Sequence, residues 1–345
     1  MIIARSPVRV SFFGGGTDLA AYYTQYGGAV LNTTINKYVY VILSANRGDA
    51  LQITSSDYRT FYRLGNDEPL LWEGGELSLP RAVLHHFGIH ENLSMFIASE
   101  IPPGTGLGSS SAVTVALVKG VSATIGYHLT PAQVAEIACE IEIDKMGMPI
   151  GVQDQYATAF GGFNWMEFDK DGITVTPLRI PPEAIKRLEA NVLLMFTGSA
   201  RNSADILAKQ QQSSKERKPQ VIEALHSVHE LARQAKKLLM DRRLDEFGRL
   251  LDDAWQHKKR FASGITNPEI DRAYALARRH GALGGKIAGA GGGGFLILYC
   301  EDGAANRVAT ILEQEIVGMR RMDYHFETDG ARVLFNAGLR LRFTD

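Results

Sequence analysis

The sequence has little of what marks secreted, membrane or nucleic-acid-binding proteins. It contains two cysteines in 345 residues, Cys139 and Cys300, which are far apart and lack metal-ligand spacing. No apolar run reaches membrane-spanning length, and the first residues lack a signal peptide's long apolar core. The formal net charge of −1 gives no reason to expect nucleic acid. We expect a cytoplasmic protein with no membrane or nucleic-acid partner, and the sequence leaves open whether it is a homo-oligomer.

Glycine, in contrast, is abundant and unevenly distributed. Among the 35 glycines are three short blocks near residues 14, 106 and 291, each beside an apolar run. Glycine lets a backbone approach a ligand or another backbone closely. Three separate blocks of this kind favour one shared ligand site in a chain whose length suits two domains.

The central block, residues 102–111, reads Pro-Pro-Gly-Thr-Gly-Leu-Gly-Ser-Ser-Ser. An apolar strand is predicted before it at 93–98, and a helix that is apolar on every side follows it to Ile125. The helix is therefore buried, and its first N–H groups open at the loop and favour an anion. Alternate glycines and three hydroxyls make the loop a candidate phosphate cradle. A plain glycine turn with a serine-capped helix stays an alternative.

Two familiar glycine motifs do not fit this loop. A Walker A loop requires lysine where Ser109 stands, so an ordinary P-loop NTPase is not expected. The dinucleotide fingerprint requires a different glycine spacing.

The N-terminal stretch predicts a strand over residues 2–13 that runs into Gly14-Gly15-Gly16-Thr17-Asp18. Arg9 lies between apolar residues of that strand, so it either extends along apolar surface to solvent or points into a polar site. Asp18 is either a ligand-binding acid or the N-cap of a helix over 19–26.

A second informative helix begins at Thr130, where Thr-Pro-Ala-Gln predicts a capping box with proline at the first helical position. Glu136, Glu140 and Asp144 form an acidic stripe, which is typical of a solvated face. Glu142 lies off the stripe among small and apolar residues, where a carboxylate requires a partner. Further on, Asp154 follows a glycine turn and is either a cap or a carboxylate that acts on a hydroxyl.

The remaining chain predicts a domain boundary at Pro181-Pro182 and then amphipathic helices whose apolar stripes are core. The run of glycines over 284–294 beside the strand 295–299 predicts close backbone packing. A C-terminal helix over 304–317 and a hairpin turning at Asp329-Gly330 complete the pattern.

The order of these motifs resembles the GHMP kinases, the superfamily of galactokinase, homoserine kinase, mevalonate kinase and phosphomevalonate kinase. The resemblance rests on the Pro-x-Arg strand with its Gly-Thr-Asp turn, the Pro-Pro-Gly-x-Gly-Leu-Gly-Ser-Ser loop and the late Gly-Ala-Gly-Gly-Gly-Gly loop, and it covers essentially the whole chain. It implies an α+β fold of two domains. Residues 1–181 would form a ribosomal-S5-like nucleotide-binding domain and residues 182–345 a ferredoxin-like C-terminal domain.

The resemblance also implies roles for single residues. Asp154 and Arg9 would be catalytic, Ser110 and Glu142 would hold Mg²⁺, and Asp18 would bind sugar hydroxyls. The residues implied to wrap ATP are Pro103, Gly104, Thr105, Gly106, Leu107, Gly108, Ser109, Ser110 and Ser111. Those implied to bind the acceptor are Gly15, Gly16, Thr17, Asp18, Gly291 and Gly292, to which Arg201 is added as a cation for a phosphate on the acceptor.

The turn at residues 14–18 and the stretch 151–156 are most similar to the branch that phosphorylates D-glycero-D-manno-heptose 7-phosphate. This implies transfer of phosphate from ATP to the anomeric hydroxyl, for activated heptose in polysaccharide biosynthesis. Galactokinases carry Glu and His where this chain has Gly15 and Gly16, so galactose is not expected. The alternatives are a kinase of an unphosphorylated sugar such as L-fucose, a mevalonate-pathway kinase, and a non-catalytic sugar sensor that kept the fold.

Overall fold

Two β-sheets organise the chain, the first built mainly from its N-terminal half. The computed structural model describes residues 1–46, 50–57, 59–65, 68–198, 203–216 and 218–341. Within these ranges the strands of the first sheet are β1 Ile2–Phe13, β2 Gly28–Ala45, β3 Leu51–Ser55, β4 Thr60–Leu64, β5 Leu93–Ser99, β6 Asn164–Asp169, β7 Gly172–Pro177, β12 Phe326–Glu327 and β13 Arg332–Asn336. Those of the second sheet are β8 Val192–Phe196, β9 Ala282–Ile287, β10 Phe295–Cys300 and β11 Arg320–Arg321.

The first sheet is centred on the long antiparallel pair of β1 and β2. Its main path runs β13-β1-β2-β5-β3-β4, while β6 and β12 also pair with β2 and β7 pairs with β6. The pairing of β1 with β2 extends from Ile2 opposite Leu43 to Phe13 opposite Leu31. This long pairing carries the backbone directly to the glycine turn after residue 13.

The second sheet has the antiparallel order β11-β8-β10-β9, and β8, β9 and β10 are almost completely buried. Gly284 and Gly285 allow β9 to pack closely: a Cβ at Gly284 would lie 2.1 Å from the carbonyl oxygen of Gly248 on the neighbouring helix. Helix packing at this distance requires glycine. The prediction that these glycines reflect close packing is confirmed.

Helices cover both sheets. Their bounds are α1 Ala20–Tyr26, α2 Ser78–His86, α3 Ser109–Thr124, α4 Pro131–Cys139, α5 Gln153–Phe160, α6 Pro182–Asn191, α7 Ser203–Lys215, α8 Pro219–Met240, α9 Leu244–Lys258, α10 Pro268–Arg279 and α11 Ala305–Glu315. The predicted capping box of α4 is confirmed, since Thr130 accepts from the N–H of Gln133 and Gln133 reaches back to Thr130. Helix α3 is buried on nearly all sides, as its apolar sequence predicts.

The predicted hairpin at Asp329-Gly330 is wrong. Strand β12 pairs with β2 through Phe326 opposite Ile35, and β13 pairs with the first residues of β1 through Ile2 opposite Asn336. The free edge of β1 pairs with β13 over residues 2–5, with a register shift between Ile3 and Ala4, and this pairing replaces the predicted one. The chain therefore returns to the first sheet after the second, so the predicted range 182–345 contains strands of both sheets.

The α+β fold class is confirmed by this mixture of largely antiparallel sheets and covering helices. Among the described residues, no helix combines the length and hydrophobicity needed to cross a membrane.

Candidate active site

One cleft collects residues from both halves of the chain. It lies where β1, the loop before α3 and the start of α5 meet the ends of α9 and β9. The sequence-predicted residues that line it are Arg9, Gly15, Gly16, Asp18, Gly104, Gly106, Gly108, Ser109, Ser110, Ser111 and Asp154. Three distant stretches of sequence thus meet at one place.

The loop before α3 has the backbone of an anion cradle. Gly104, Gly106 and Gly108 all have positive φ, at 74°, 83° and 71°. This left-handed conformation favours glycine, and its alternation with ordinary residues turns successive N–H groups to one side. Ser109 begins α3 directly afterwards, so the unpaired N–H groups of the first helical turn face the same cleft. The loop can bind phosphate oxygens without a lysine.

The third glycine block packs directly on this loop. A Cβ added at Gly106 would lie 2.6 Å from the carbonyl oxygen of Ala288, and a Cβ at Gly289 would lie 2.6 Å from the Cα of Gly106. Next to this contact, the N–H of Phe295 donates to the carbonyl of Thr105 at 3.1 Å. Both glycine segments are therefore needed for this close approach, which holds the loop against the second sheet.

Arg9 and Asp154 form a bidentate ion pair at the centre of the cleft. The Nε and Nη2 atoms of Arg9 each donate to one carboxylate oxygen of Asp154, both at 2.7 Å. The Nη1 atom donates to the carbonyl of Gly106 at 2.6 Å. The Arg9 side chain is 5% exposed and that of Asp154 is 23% exposed. The pair fixes Asp154 beside the glycine loop while leaving part of its carboxylate accessible from the cleft.

Asp18 is held in place within the turn after β1. Its Oδ1 accepts from the N–H of Gly16 at 2.7 Å, and the Gln153 side chain is a second donor. Burial, and then the negative charge of Asp154, raise the pKa of Asp18 above its usual range. Helix α1 has Leu19 at its N-cap without a side-chain cap, so the N-cap alternative for Asp18 is not observed. Asp18 instead presents a buried carboxyl group to the cleft.

Glu142 lies behind Ser110, on a π-helical segment, Glu140–Lys145, that continues α4. Its Oε1 accepts from Thr114 at 2.9 Å and from Ser110 at 3.3 Å, and its Oε2 accepts from Gln155 at 2.6 Å. Burial raises the pKa of this carboxyl to about 7, although the hydroxyl and amide donors around it oppose the shift. The π turn, which often marks functional sites, aims Glu142 inward while Glu136, Glu140 and Asp144 stay exposed.

The Ser110 and Glu142 pair suits Mg²⁺. Glu142 is fully buried, and its partners among the described residues are neutral donors, so a cation would compensate its charge. The described residues contain no group of three or more His, Cys, Asp or Glu side chains that could hold a metal ion. Mg²⁺ is commonly bound by one or two protein oxygens, with water and substrate phosphates completing its coordination. The residues present fit that pattern.

Sequence reasoning missed two buried lysines in the same cleft. Lys258 ends α9 and Lys286 lies in β9; they are 8% and 4% exposed. Burial, and then the positive charge of Arg9, lower the pKa of Lys258 to about 7. Burial lowers the pKa of Lys286 well below its usual value. The signal was present, since Lys258 falls in register with Leu251, Ala254 and Trp255 on the apolar stripe of α9.

Three further cleft residues carry buried polar atoms that lack a hydrogen-bond partner within the described part of the chain. They are Ser11 Oγ, Gln153 Oε1 and Gln210 Nε2, on side chains no more than 7% exposed. Buried polar atoms are normally satisfied, so these three point to a polar ligand. Gln210 lies on α7 and reaches the glycine turn: a Cβ at Gly16 would lie 2.7 Å from its Nε2.

Other predicted site residues lie beside the cleft and do not line it. Thr17 is fully buried and its hydroxyl donates to the carbonyls of Gly14 and Ala29. Thr105 and Leu107 are fully buried within the loop, and Pro103 is exposed at its outer side. Gly291 and Gly292 pack against Ile265, whose carbonyl accepts from the N–H of Gly292 at 2.8 Å. Arg201 lies outside the described residues.

Comparison with known proteins agrees with this geometry. The model of the GHMP kinases N terminal domain matches residues 78–162, and the model of the GHMP kinases C terminal matches residues 215–317. The first match contains the loop, Glu142 and Asp154. The second contains Lys258, Lys286 and the late glycine block.

Similar proteins extend the match over the full chain. The D-glycero-alpha-D-manno-heptose 7-phosphate kinase of Campylobacter jejuni is 30% identical over 96% of this chain and 98% of its own length. The bifunctional fucokinase/GDP-fucose pyrophosphorylase of Arabidopsis thaliana is 26% identical over 86% of this chain and 29% of its length. The crystal structure of a D-glycero-D-manno-heptose 1-phosphate kinase from Bacteroides thetaiotaomicron superimposes with a TM-score of 0.81 and 28% identity, covering 98% of this chain and 100% of that one. The chain therefore belongs to the GHMP kinases and is a phosphotransferase that acts on an alcohol group.

Proposed function

We propose that the protein is an ATP-dependent sugar 1-kinase that converts D-glycero-D-manno-heptose 7-phosphate to the 1,7-bisphosphate in the cytoplasm. The names of its full-length relatives from C. jejuni and B. thetaiotaomicron both pair a heptose with a phosphate, which supports a heptose phosphate as the acceptor class. The first name places that phosphate at C7 and the second at C1, and the proposal follows the first because it leaves the anomeric hydroxyl free. GHMP kinases use ATP as the phosphate donor, typically with Mg²⁺. The observation that carries the proposal is the bidentate pair of Arg9 and Asp154, set between a phosphate cradle and a hydroxyl-binding turn.

In this reaction Asp154 acts on the acceptor. Each of its oxygens has a further lone pair after Arg9 is bound, so it can accept a hydrogen bond from the anomeric hydroxyl and then its proton. The hydroxyl oxygen forms a bond to the γ-phosphorus as the bond between that phosphorus and the bridging oxygen of ADP breaks. Arg9 keeps Asp154 in position and adds positive charge where the phosphoryl group transfers.

The glycine loop and the first turn of α3 would bind the nucleotide phosphates through backbone N–H groups and the serine hydroxyls. Ser110 and Glu142 would hold Mg²⁺, which when bound neutralises charge on the phosphate oxygens. The nucleotide-binding part would be residues 1–181 together with the strands that return at 326–336, and the rest would close the cleft from the other side.

The acceptor side has groups suited to a polyol. Asp18 and the unpartnered atoms of Ser11, Gln153 and Gln210 offer both donors and acceptors to sugar hydroxyls. Gly15 and Gly16 keep side chains out of this space. Larger residues at these two positions would narrow the room for a seven-carbon sugar.

The test is Mg-ATP-dependent release of ADP with D-glycero-D-manno-heptose 7-phosphate, sedoheptulose 7-phosphate, mannose 6-phosphate, L-fucose, galactose and mevalonate. We expect selective turnover of the heptose phosphate, with the new phosphate on C1 by phosphorus NMR. Turnover of L-fucose alone would favour the fucokinase-type activity, to which the A. thaliana relative points. Nucleotide binding without turnover of any acceptor would favour a sugar sensor. Asp154→Asn, for which we expect a much lower kcat, is run in parallel to detect contaminating kinase activity.

A further inference from the structure

Lys258 and Lys286 have a contact pattern that the proposed reaction does not explain. Lys258 donates to the carbonyls of Ile287, at 3.1 Å, and Gly289. Lys286 donates to the carbonyl of Phe12 at 2.9 Å, two residues before the glycine turn begins. An ammonium group has three N–H donors. Within the described part of the chain, one donor of Lys258 and two of Lys286 are thus left for a ligand in the cleft that both residues line.

The charges of the two lysines are not compensated by an ion pair within the described residues. Their hydrogen-bond partners there are backbone carbonyls, and the nearby charges that act on them are mostly positive. Arg9 disfavours both ammonium groups, Lys258 also disfavours that of Lys286, and Asp18 alone favours them. Burying two cations this way is unfavourable, and burial accordingly lowers the pKa of both lysines. An anion bound between them would compensate the two charges and favour the protonated forms.

A third group nearby is also a donor that lacks a partner in the described ranges. The Nε2 atom of Gln210 makes no hydrogen bond there although the side chain is 4% exposed, and it lies against Gly16. Two ammonium groups and an amide N–H form a set of donors, which fits a ligand group made of acceptor oxygens with negative charge. A phosphate monoester has that chemistry.

The positions of Lys286 and Gln210 favour the acceptor over the nucleotide, whereas Lys258 donates to Gly289, which packs on the glycine loop. Lys286 donates to the carbonyl of Phe12, two residues before the glycine turn, and Gln210 lies against Gly16 in the turn itself. The glycine loop and α3 offer their own N–H groups for the nucleotide phosphates. We propose that Lys258, Lys286 and Gln210 form the subsite for the phosphate that the acceptor already carries. This inference rests on the proposed function, because it assigns the part of the acceptor that distinguishes a sugar phosphate from a free sugar.

The experiment compares Lys258→Met and Lys286→Met with the native protein, using calorimetric titration without ATP. Each variant should bind D-glycero-D-manno-heptose 7-phosphate about 10-fold more weakly or worse, because one charge-assisted contact to phosphate is lost. Binding of the unphosphorylated heptose should stay unchanged. Methionine has similar length and no charge, so the core stays filled. Lys259→Met, the same change at a neighbouring residue that does not line the cleft, is the matched control.

Two results would overturn the subsite. Equal weakening of the phosphorylated and unphosphorylated heptose would show that the lysines shape the sugar pocket generally. A lower kcat with both acceptors, at unchanged affinity, would assign the lysines to the transfer step. Thermal unfolding of each variant identifies a folding defect, and Gln210→Leu, which removes the donor without touching either lysine, then supplies an independent variant with the same expected selectivity.

A separate titration distinguishes this inference from the proposed function. Native protein should bind mannose 6-phosphate more tightly than mannose, and the double variant Lys258→Met/Lys286→Met should lose that difference. If the heptose phosphate is not turned over while this difference is seen, the proposed function fails and the subsite stands. If native protein binds the phosphorylated and free sugars equally, the subsite is rejected whatever the acceptor.

Discussion

Glu142→Gln should stabilise the protein at neutral and alkaline pH, and it should remove the carboxylate that we propose holds Mg²⁺. The substitution replaces a buried carboxylate by a neutral group of the same shape. The amide oxygen of the introduced glutamine can still accept from Thr114 and Ser110, which contact Oε1 of Glu142. The introduced amide N–H₂ would face the donor of Gln155. The Gln155 Oε1 has no partner among the described residues, so a rotation of that amide supplies the missing acceptor.

The magnitude follows from the pKa of Glu142, which burial raises from 4.5 to about 7. An unfolded chain releases this proton near pH 4.5, whereas the folded protein keeps it until about pH 7. The unfolded state therefore binds fewer protons between these values, and the free energy of unfolding falls as pH rises through them. The loss is about 3 kcal/mol when complete, at about 1.4 kcal/mol per pKa unit. Glutamine does not titrate, so the variant escapes this loss.

The assay is urea unfolding of both proteins in EDTA at several pH values from about 4.5 to about 8. The free energy of unfolding of Glu142→Gln, relative to native protein, should grow by about 3 kcal/mol across that range. Any packing strain adds a constant at every pH and leaves this change intact. Glu136→Gln changes an exposed residue on the same helix, so its free energy of unfolding relative to native protein should not change with pH. If the free energy of unfolding of Glu142→Gln relative to native protein is also independent of pH, Glu142 is not a buried, destabilising carboxylate.

Three other predictions concern the cleft. Asp154→Asn should lower kcat by about 100-fold or more with nucleotide affinity nearly unchanged, measured by steady-state kinetics and titration; near-native kcat would exclude proton transfer to Asp154. Gly106→Ala should destabilise the fold and weaken ATP binding, because the added Cβ would clash with the Ala288 carbonyl at a residue whose φ of 83° already disfavours alanine. Gly74→Ala is the control: its φ is 72° and nothing lies within 4 Å of the added Cβ, so its free energy of unfolding should fall only by the cost of the backbone conformation, about 1–3 kcal/mol. The affinity for a phosphorylated acceptor should fall as pH rises from about 7 to about 9. Burial and the charge of Arg9 lower the pKa of Lys258 to about 7, although Asp18 opposes them, so Lys258 loses its positive charge over this range. Calorimetric titration with the unphosphorylated sugar should show no such trend.

The parts of the site that local sequence determines were predictable. Alternate glycines that require positive φ, and a helix apolar on all sides, are properties of short stretches, and the loop before α3 follows from them. The inward position of Glu142 also followed, since the periodicity of its helix placed it off the exposed acidic stripe. The π turn that carries it could not be predicted, because the partners that hold Glu142 in place, Thr114 and Gln155, lie elsewhere in the chain.

What depends on distant chain segments was missed. Gln210 lines the cleft because α7 places its side chain against Gly16, and these two residues are far apart in the chain. Lys258 was missed for a different reason. The apolar stripe of α9 predicts core packing, and Lys258 lies on that same face of the helix. The hairpin prediction failed because the turn residues at 329–330 say nothing about which edge the following strand will join.

The pairing of β13 with β1 has a consequence for synthesis on the ribosome. Residue 2 lies opposite residue 336, so a strand made early is completed at its outer edge by one made much later. During translation the outer edge of β1 stays unpaired until the residues of the second sheet have been synthesised. An unpaired strand edge can pair with other chains. Truncation before residue 326 should therefore yield a protein prone to aggregate even though the cleft residues are all present.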